Sequence, residues 1–147
     1  MGFGLPAAIG AQVGRPEKKV ICIAGDGSIQ MNIQELATAI NNQLSIITII
    51  MNNGYLGMVR QWQELFFEKR YASTSLSGSP DFAKLVEVYG GKGTRITVKS
   101  DIDSALDEAL SSNQFTLLDC IIPPEENVFP MVSPGEAINK MLGVSES

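Results

Sequence analysis

The stretch Gly25-Asp26-Gly27-Ser28, taken together with Asn52-Asn53, constrains this chain more than any other feature. Each cluster sits where an apolar run ends. Val20-Ile21-Cys22-Ile23-Ala24 precedes the first, and Ser45-Ile46-Ile47-Thr48-Ile49-Ile50-Met51 precedes the second. Between them Ile33, Leu36, Ala37 and Ile40 recur at helical spacing. Strand, helix and strand in that order form a crossover unit, whose two strands lie parallel and adjacent. Both polar clusters then leave the sheet at its carboxyl edge, where open α/β sheets bind ligands. The alternation continues downstream. Phe82, Leu85, Val86 and Tyr89 mark a helix ending at Gly90-Gly91, and Arg95-Ile96-Thr97-Val98 a short strand. A helix capped by Ser100 or Asp101 follows, through Ile102, Ala105, Leu106, Ala109 and Leu110, and Phe115 to Ile122 is a last buried strand. The pattern predicts an α/β fold, a mostly parallel sheet with helices on both faces, as one domain over residues 1–147.

The two clusters carry a specific chemistry. Asp26 offers a charged hard oxygen and Asn53 a neutral one, and the glycines beside Asp26 let the backbone approach a phosphate closely. Mg²⁺ takes one or two carboxylates together with phosphate oxygens and waters, so one Asp, one Asn and a diphosphate meet its demand. Two ordinary uses of the same residues compete. Asp26-Gly27-Ser28 suits a plain strand-to-helix turn. Asn53-Gly54 suits a two-residue hairpin, but Leu56, Val59, Trp62 and Phe66 follow at helical spacing instead of a second alternating strand. A third competitor lies at the start. Gly2-x-Gly4-x-x-Ala7, with Asp26 about 20 residues on, matches a dinucleotide fingerprint. That motif needs a strand before Gly2, and it leaves Asn52-Asn53 without a role.

Gly-Asp-Gly, one helix, one strand and then Asn-Asn resembles the signature of thiamine-diphosphate enzymes. Gly54-Tyr55-Leu56-Gly57-Met58-Val59-Arg60-Gln61-Trp62-Gln63 narrows the match, as do Met1-Gly2-Phe3-Gly4-Leu5-Pro6-Ala7-Ala8-Ile9-Gly10 and Phe129-Pro130-Met131-Val132. They resemble the catalytic subunit of acetohydroxyacid synthase (acetolactate synthase), over essentially the whole chain but only about the last third of such a subunit. The expectation is therefore a C-terminal domain of a larger subunit. The resemblance implies Mg²⁺ ligation by the side chains of Asp26 and Asn53 and the main-chain carbonyl of Tyr55. It implies a thiamine-diphosphate site lined by Met1, Gly25, Asp26, Gly27, Ser28, Asn53, Gly54, Tyr55, Leu56, Gly57 and Met58. The N–H groups of Gly27 and Ser28 would face the diphosphate, and Met1 would prop the cofactor in a bent shape. Met58 and Trp62 would line the channel for the second ketoacid.

The implied reaction decarboxylates pyruvate and adds the two-carbon unit to a second 2-ketoacid, pyruvate or 2-ketobutyrate, in branched-chain amino acid biosynthesis. No catalytic residue is expected in this chain. The activating glutamate of such enzymes sits on another domain of a second subunit, and none of Glu35, Glu64 or Glu68 matches it. FAD in the full enzyme, a homodimer or higher oligomer and a regulatory small subunit are further implications. Pyruvate oxidase or glyoxylate carboligase remain as relatives with the same cofactor, and a nucleotide-binding module as the alternative of another kind.

Composition bounds the rest. Eleven Lys and Arg against 16 Asp and Glu give a net charge of −5, which offers no basic surface for nucleic acid and no steering of an anionic ketoacid. The chain contains no histidine, which removes imidazole bases, His triads and imidazole zinc sites. Cys22 and Cys120 fall in apolar strands and are expected to be buried thiols. The longest apolar run, near residues 46–51, is too short to span a bilayer. A soluble, cytoplasmic protein is the expectation.

Local signals complete the reading. Pro6 opens a helix of small residues that Gly14-Arg15-Pro16 stops. Asn32-Ile33-Gln34-Glu35 has the form of a capping box, and residues 56–71 that of an amphipathic helix with its apolar side buried. Residues 72–79 form a loop, and residues 80–122 are scaffold without chemistry. Phe129, Met131 and Val132 make an apolar loop suited to a partner chain or a lid, and residues 135–142 a final helical turn or two.

Overall fold

In the computed structural model, which describes residues 1–143, the two apolar runs become β1 (Ile21–Gly25) and β2 (Ile47–Asn52). They pair in parallel, Ile21 opposite Ile47 and Gly25 opposite Met51. The sheet continues through β3 (Lys92–Ile96) and β4 (Thr116–Ile121) in the order β1-β2-β4-β3, with every pairing parallel. Such strands need crossovers, supplied by α2 (Asp26–Ile29) and α3 (Glu35–Asn41), by α4 (Gly57–Phe66) and α5 (Phe82–Val88), and by α6 (Ile102–Ser111). The first helix, α1 (Gly4–Gly14), comes before β1.

Side chains alternate across the sheet. One face sends Cys22, Ile50 and Leu117 into a core with Leu5 and Ala8 of α1, Leu36 and Ala39 of α3, and Phe82 and Val86 of α5. The other sends Ile47, Ile96 and Leu118 against Ala105 and Ala109 of α6. Small residues set two close approaches. A Cβ at Gly4 would lie 3.2 Å from Cys22 Sγ, so α1 rests directly on β1. A Cβ at Gly93 of β3 would lie 2.0 Å from the carbonyl oxygen of Ala83 in α5. Gly4 is the first residue of α1, and Gly2 stands just ahead of it at φ +77°.

Two expectations fail locally. Asn32 does not cap a helix. Residues 26–32 are already helical, as α2 followed by a 3-10 turn at Gln30–Asn32, and α3 starts at Glu35 without a side-chain cap. The Asn32 amide donates instead to the Gly2 carbonyl, which fastens the chain's start to the sheet edge. Residues 135–142 do not form a helical turn. Ser133-Pro134-Gly135-Glu136 closes on a 3.1 Å bond from the Glu136 N–H to the Ser133 carbonyl, with Gly135 at φ +82°. Pro followed by a positive-φ Gly is the sequence of a type II turn. The chain then returns as β6 (Met141–Leu142), antiparallel to β5 (Met131–Val132). Among the described residues no helix is long and apolar enough to cross a membrane.

Candidate functional site

The ends of β1 and β2 bring the two polar clusters to one cavity of about 310 Å³. Met1, Gly25, Asp26, Gly27, Ser28, Asn53, Tyr55, Leu56, Gly57 and Met58 line it. Gly54 lies behind this wall, bordering a neighbouring cavity, and Trp62 lies outside the lining, one turn along α4 from Met58. A further cavity of about 350 Å³, between the sheet and α6, is walled by Ile49, Ile96, Ile102, Leu106 and Leu118. Its apolar lining has little to offer a phosphate.

The turn that carries Asn53 is fixed by its own side chains. Asn53 Oδ1 accepts the Tyr55 N–H at 3.0 Å, and Asn52 Oδ1 accepts the Gly54 N–H at 3.2 Å. Gly54 adopts φ +69°, open to glycine at little cost. The Gly54 carbonyl and the Leu56 N–H pair with Leu76 and Thr74, so the loop 72–79 braces the turn from outside. On the other side Ser28 Oγ accepts the Gly2 N–H at 3.1 Å, which holds Met1 against the cavity.

Asp26 is the most constrained group. It is only 2% exposed, and its Oδ2 is buried without a hydrogen-bond donor. A buried carboxylate oxygen left this way is costly unless something outside the chain satisfies it. Burial pushes the Asp26 carboxyl above the ordinary aspartate range, against the pull of the N–H groups of Gly27, Gly54 and its own residue, and the Asp119 charge adds to the rise. Among the described residues no three His, Cys, Asp or Glu side chains gather into a metal site. A divalent ion at Asp26 would therefore draw on amide and main-chain oxygens and on oxygens of a bound ligand. A hard cation held by one carboxylate and one amide, completed by phosphate oxygens, fits that donor set.

The helix α4 departs from its expected orientation. Its buried residues are Arg60 and Gln61, while Met58, Val59, Trp62, Leu65 and Phe66 face outward. Both buried residues serve the cavity, and the sequence reading missed them. Arg60 lies between the Tyr55 and Tyr71 rings, 5.2 and 4.6 Å from their centres, and pairs with Glu64 at 3.1 Å and Glu125 at 3.4 Å. Gln61 accepts the Val128 N–H at 3.0 Å and donates to the Val128 carbonyl at 2.9 Å. Its amide thus acts as a strand edge for the loop after β4, whose Ile122, Glu126 and Val128 close one side of the cavity. A polar residue inside an otherwise amphipathic helix was the one available signal. Replacing Gln61 by Ala is expected to cost about 1–2 kcal/mol and to release this loop. Denaturant unfolding checks the first, and lost exchange protection at the Val128 amide the second.

The cysteines take no part in this arrangement. Cys22 is buried and Cys120 half-buried, both are free, and burial pushes both thiols up, away from the reactive thiolate.

Comparison with known proteins gives the family of the chain. Positions 1–120 match the family described as "Thiamine pyrophosphate enzyme, C-terminal TPP binding domain". The chain is 50% identical over 142 residues to the acetolactate synthase isozyme 2 large subunit of Escherichia coli (strain K12), covering 97% of this chain and 26% of that one. It is 45% identical over 147 residues to the acetolactate synthase large subunit of Cyanidium caldarium, covering 99% and 25%. Among solved structures, the Rhodococcus jostii RHA1 thiamine diphosphate-dependent 4-hydroxybenzoylformate decarboxylase superposes with a TM-score of 0.77 at 33% identity, over 84% of this chain and 23% of that one. The chain thus spans about a quarter of the length of these relatives, less than the third expected from the resemblance. With the family matched over residues 1–120, most of the chain, this chain belongs to the thiamine pyrophosphate enzymes as a C-terminal TPP-binding domain.

Proposed function

We propose that this domain holds the diphosphate end of thiamine diphosphate through Mg²⁺, within an enzyme that condenses two 2-ketoacids after decarboxylating the first. The observation that carries the proposal is the unpartnered, buried Asp26 Oδ2 beside the same cavity as Asn53. The side chains of Asp26 and Asn53 and the main-chain carbonyl of Tyr55 are the proposed ligands. Gly25, Gly27 and Ser28 would give the diphosphate close backbone approach, while Gly54 would shape the turn behind them. Met1, Leu56, Gly57 and Met58 would exclude water from the cofactor, and Met58 and Trp62 would border the path of the second ketoacid. When bound, thiamine diphosphate supplies the carbanion centre that a ketoacid decarboxylation requires.

The wider assignment rests on the 45–50% identity to acetolactate synthase large subunits. It comprises pyruvate and 2-ketobutyrate as substrates, FAD elsewhere in the full enzyme, a homodimer or higher oligomer with a possible small regulatory subunit, and a cytoplasmic, membrane-free location. The activating acid belongs to a different domain of a second subunit. Glu126, the other carboxylate at the cavity, lies exposed at its rim. The domain alone is therefore expected to bind cofactor weakly and to form no acetolactate.

Calorimetric titration tests the binding step. Thiamine diphosphate should bind only with Mg²⁺ present, and NAD should give no heat. Binding that ignores Mg²⁺, or a saturable NAD isotherm, would remove the assignment.

A further inference from the structure

Asn52 stands in the same Asn-Asn pair as Asn53, yet it is buried at 8% exposure and lies outside the lining of the Asp26 cavity, bordering the neighbouring one. Its amide is used at both ends. Oδ1 accepts the Gly54 N–H at 3.2 Å, and Nδ2 donates to Asp119 Oδ1 at 2.8 Å. Asp119 is a carboxylate with no exposure at all, set in the apolar strand β4. Its second oxygen accepts from Arg95 Nε at 3.1 Å, across the β3–β4 ladder where the two residues are register partners. Arg95 in turn reaches Asp81, the residue that caps α5, at 3.6 Å. A fully buried carboxylate persists only when its oxygens are satisfied, and here two fixed donors satisfy them.

We propose that Asp119 and Asn52 are positioning residues for the metal-binding turn, holding Gly54 and thereby setting where Asn53 Oδ1 and the Tyr55 carbonyl point. The chain of bonds runs from β3 through β4 and β2 to the Gly54 N–H, and neither residue touches the cavity. Outer partners of this kind orient metal ligands, and their loss costs about 10–100-fold in metal affinity. Without Asn52 the Gly54 N–H loses its 3.2 Å acceptor and is left facing the Asp26 carboxyl alone, and within the turn only the Asn53–Tyr55 bond remains. This inference rests on the proposed Mg²⁺ ligation by the same turn.

The test measures Mn²⁺ affinity, by water-proton relaxation at saturating thiamine diphosphate, together with metal-free melting temperature, on the full chain. Asn52→Ala and Asp119→Asn are the variants. Val86→Ala, a core truncation on the same face of the sheet, shows what lost stability alone does. All measurements are made well below the lowest melting temperature. The expected result is a Kd for Mn²⁺ raised about 10–100-fold in Asn52→Ala and Asp119→Asn, and changed less than about twofold in Val86→Ala. Wild-type affinity in Asn52→Ala, or an affinity loss in Val86→Ala matching that of the two variants, overturns the positioning role. A wild-type chain that takes up no Mn²⁺ overturns the ligation itself and the inference with it.

Discussion

Asp26→Asn is expected to abolish metal-dependent cofactor binding while making the metal-free chain more stable. The two effects have one cause. Asp26 Oδ2 is buried without a donor, and burial holds the carboxyl above its ordinary pKa. The folded state therefore resists ionisation that the unfolded chain accepts freely. Stability of the metal-free protein falls as pH rises from the ordinary aspartate range through the raised folded value, and is level above it. An amide at this position has no charge to desolvate, so the variant should lack that fall and gain about 1–3 kcal/mol at pH 7. It also lacks the anionic oxygen that a divalent ion requires, so the affinity loss should exceed the roughly 100-fold seen for outer-partner changes. Melting curves with and without thiamine diphosphate and Mg²⁺ read both effects. A ligand at 100 times its Kd stabilises by about 2.7 kcal/mol, which wild type should show and the variant should not. A variant less stable than wild type in the metal-free state would contradict the account of the buried carboxylate.

Gly93→Ala is expected to destabilise the fold by about 3–5 kcal/mol, more than the usual cost of overpacking. The added Cβ would sit 2.0 Å from the Ala83 carbonyl oxygen and 2.6 and 2.8 Å from the backbone carbon atoms behind it. Main chain cannot swing aside as a side-chain tip does, so β3 and α5 must separate. Phe82 and Val86 are both fully buried on α5, and parting the two elements would open the core around them. The contrast is Gly27, where the nearest atoms to an added Cβ are side-chain ends, of Leu56, Leu76 and Met1. Gly27→Ala should fold nearly as well as wild type. Denaturant unfolding of the two variants side by side measures the difference. Equal stabilities would show that β3 and α5 are less tightly apposed than these distances require.

The parallel sheet and the meeting of Asp26 with Asn53 at its edge were legible in the sequence because two different patterns agreed. Apolar runs ended at polar clusters, and helical spacing lay between them. Where the sequence misled, one residue had two possible partners. Asn32 has the chemistry of a helix cap, but it bonds to Gly2, thirty residues earlier, and no local pattern announces that. Gln61 and Arg60 fall on the buried side of α4 because loop 122–128 and two tyrosine rings wait for them, while the apolar side that amphipathicity assigns to the core faces outward. Residues 80–122 read as plain scaffold, although Asp119 was visible as a lone acid in an apolar strand. Its role depends on Arg95 and Asn52, neighbours that only the strand order brings together. The Pro134-Gly135 turn, by contrast, is written in the sequence, and its chemistry outweighs the weak helical pattern of residues 135–142.

The position of β4 in the sheet has a consequence for how the protein is made. Of the four strands of this sheet it is the last in chain order, yet it lies between β2 and β3. A nascent chain that stops before Thr116 holds β1 and β2 as a pair and leaves β3 with no neighbour to bond. The contacts of Asp119 with both Arg95 and Asn52 arise only when β4 slides into that gap. Synthesis delivers Asp26 and Asn53 before Asp119, but the turn that carries Asn53 takes its final shape only after β4 has emerged.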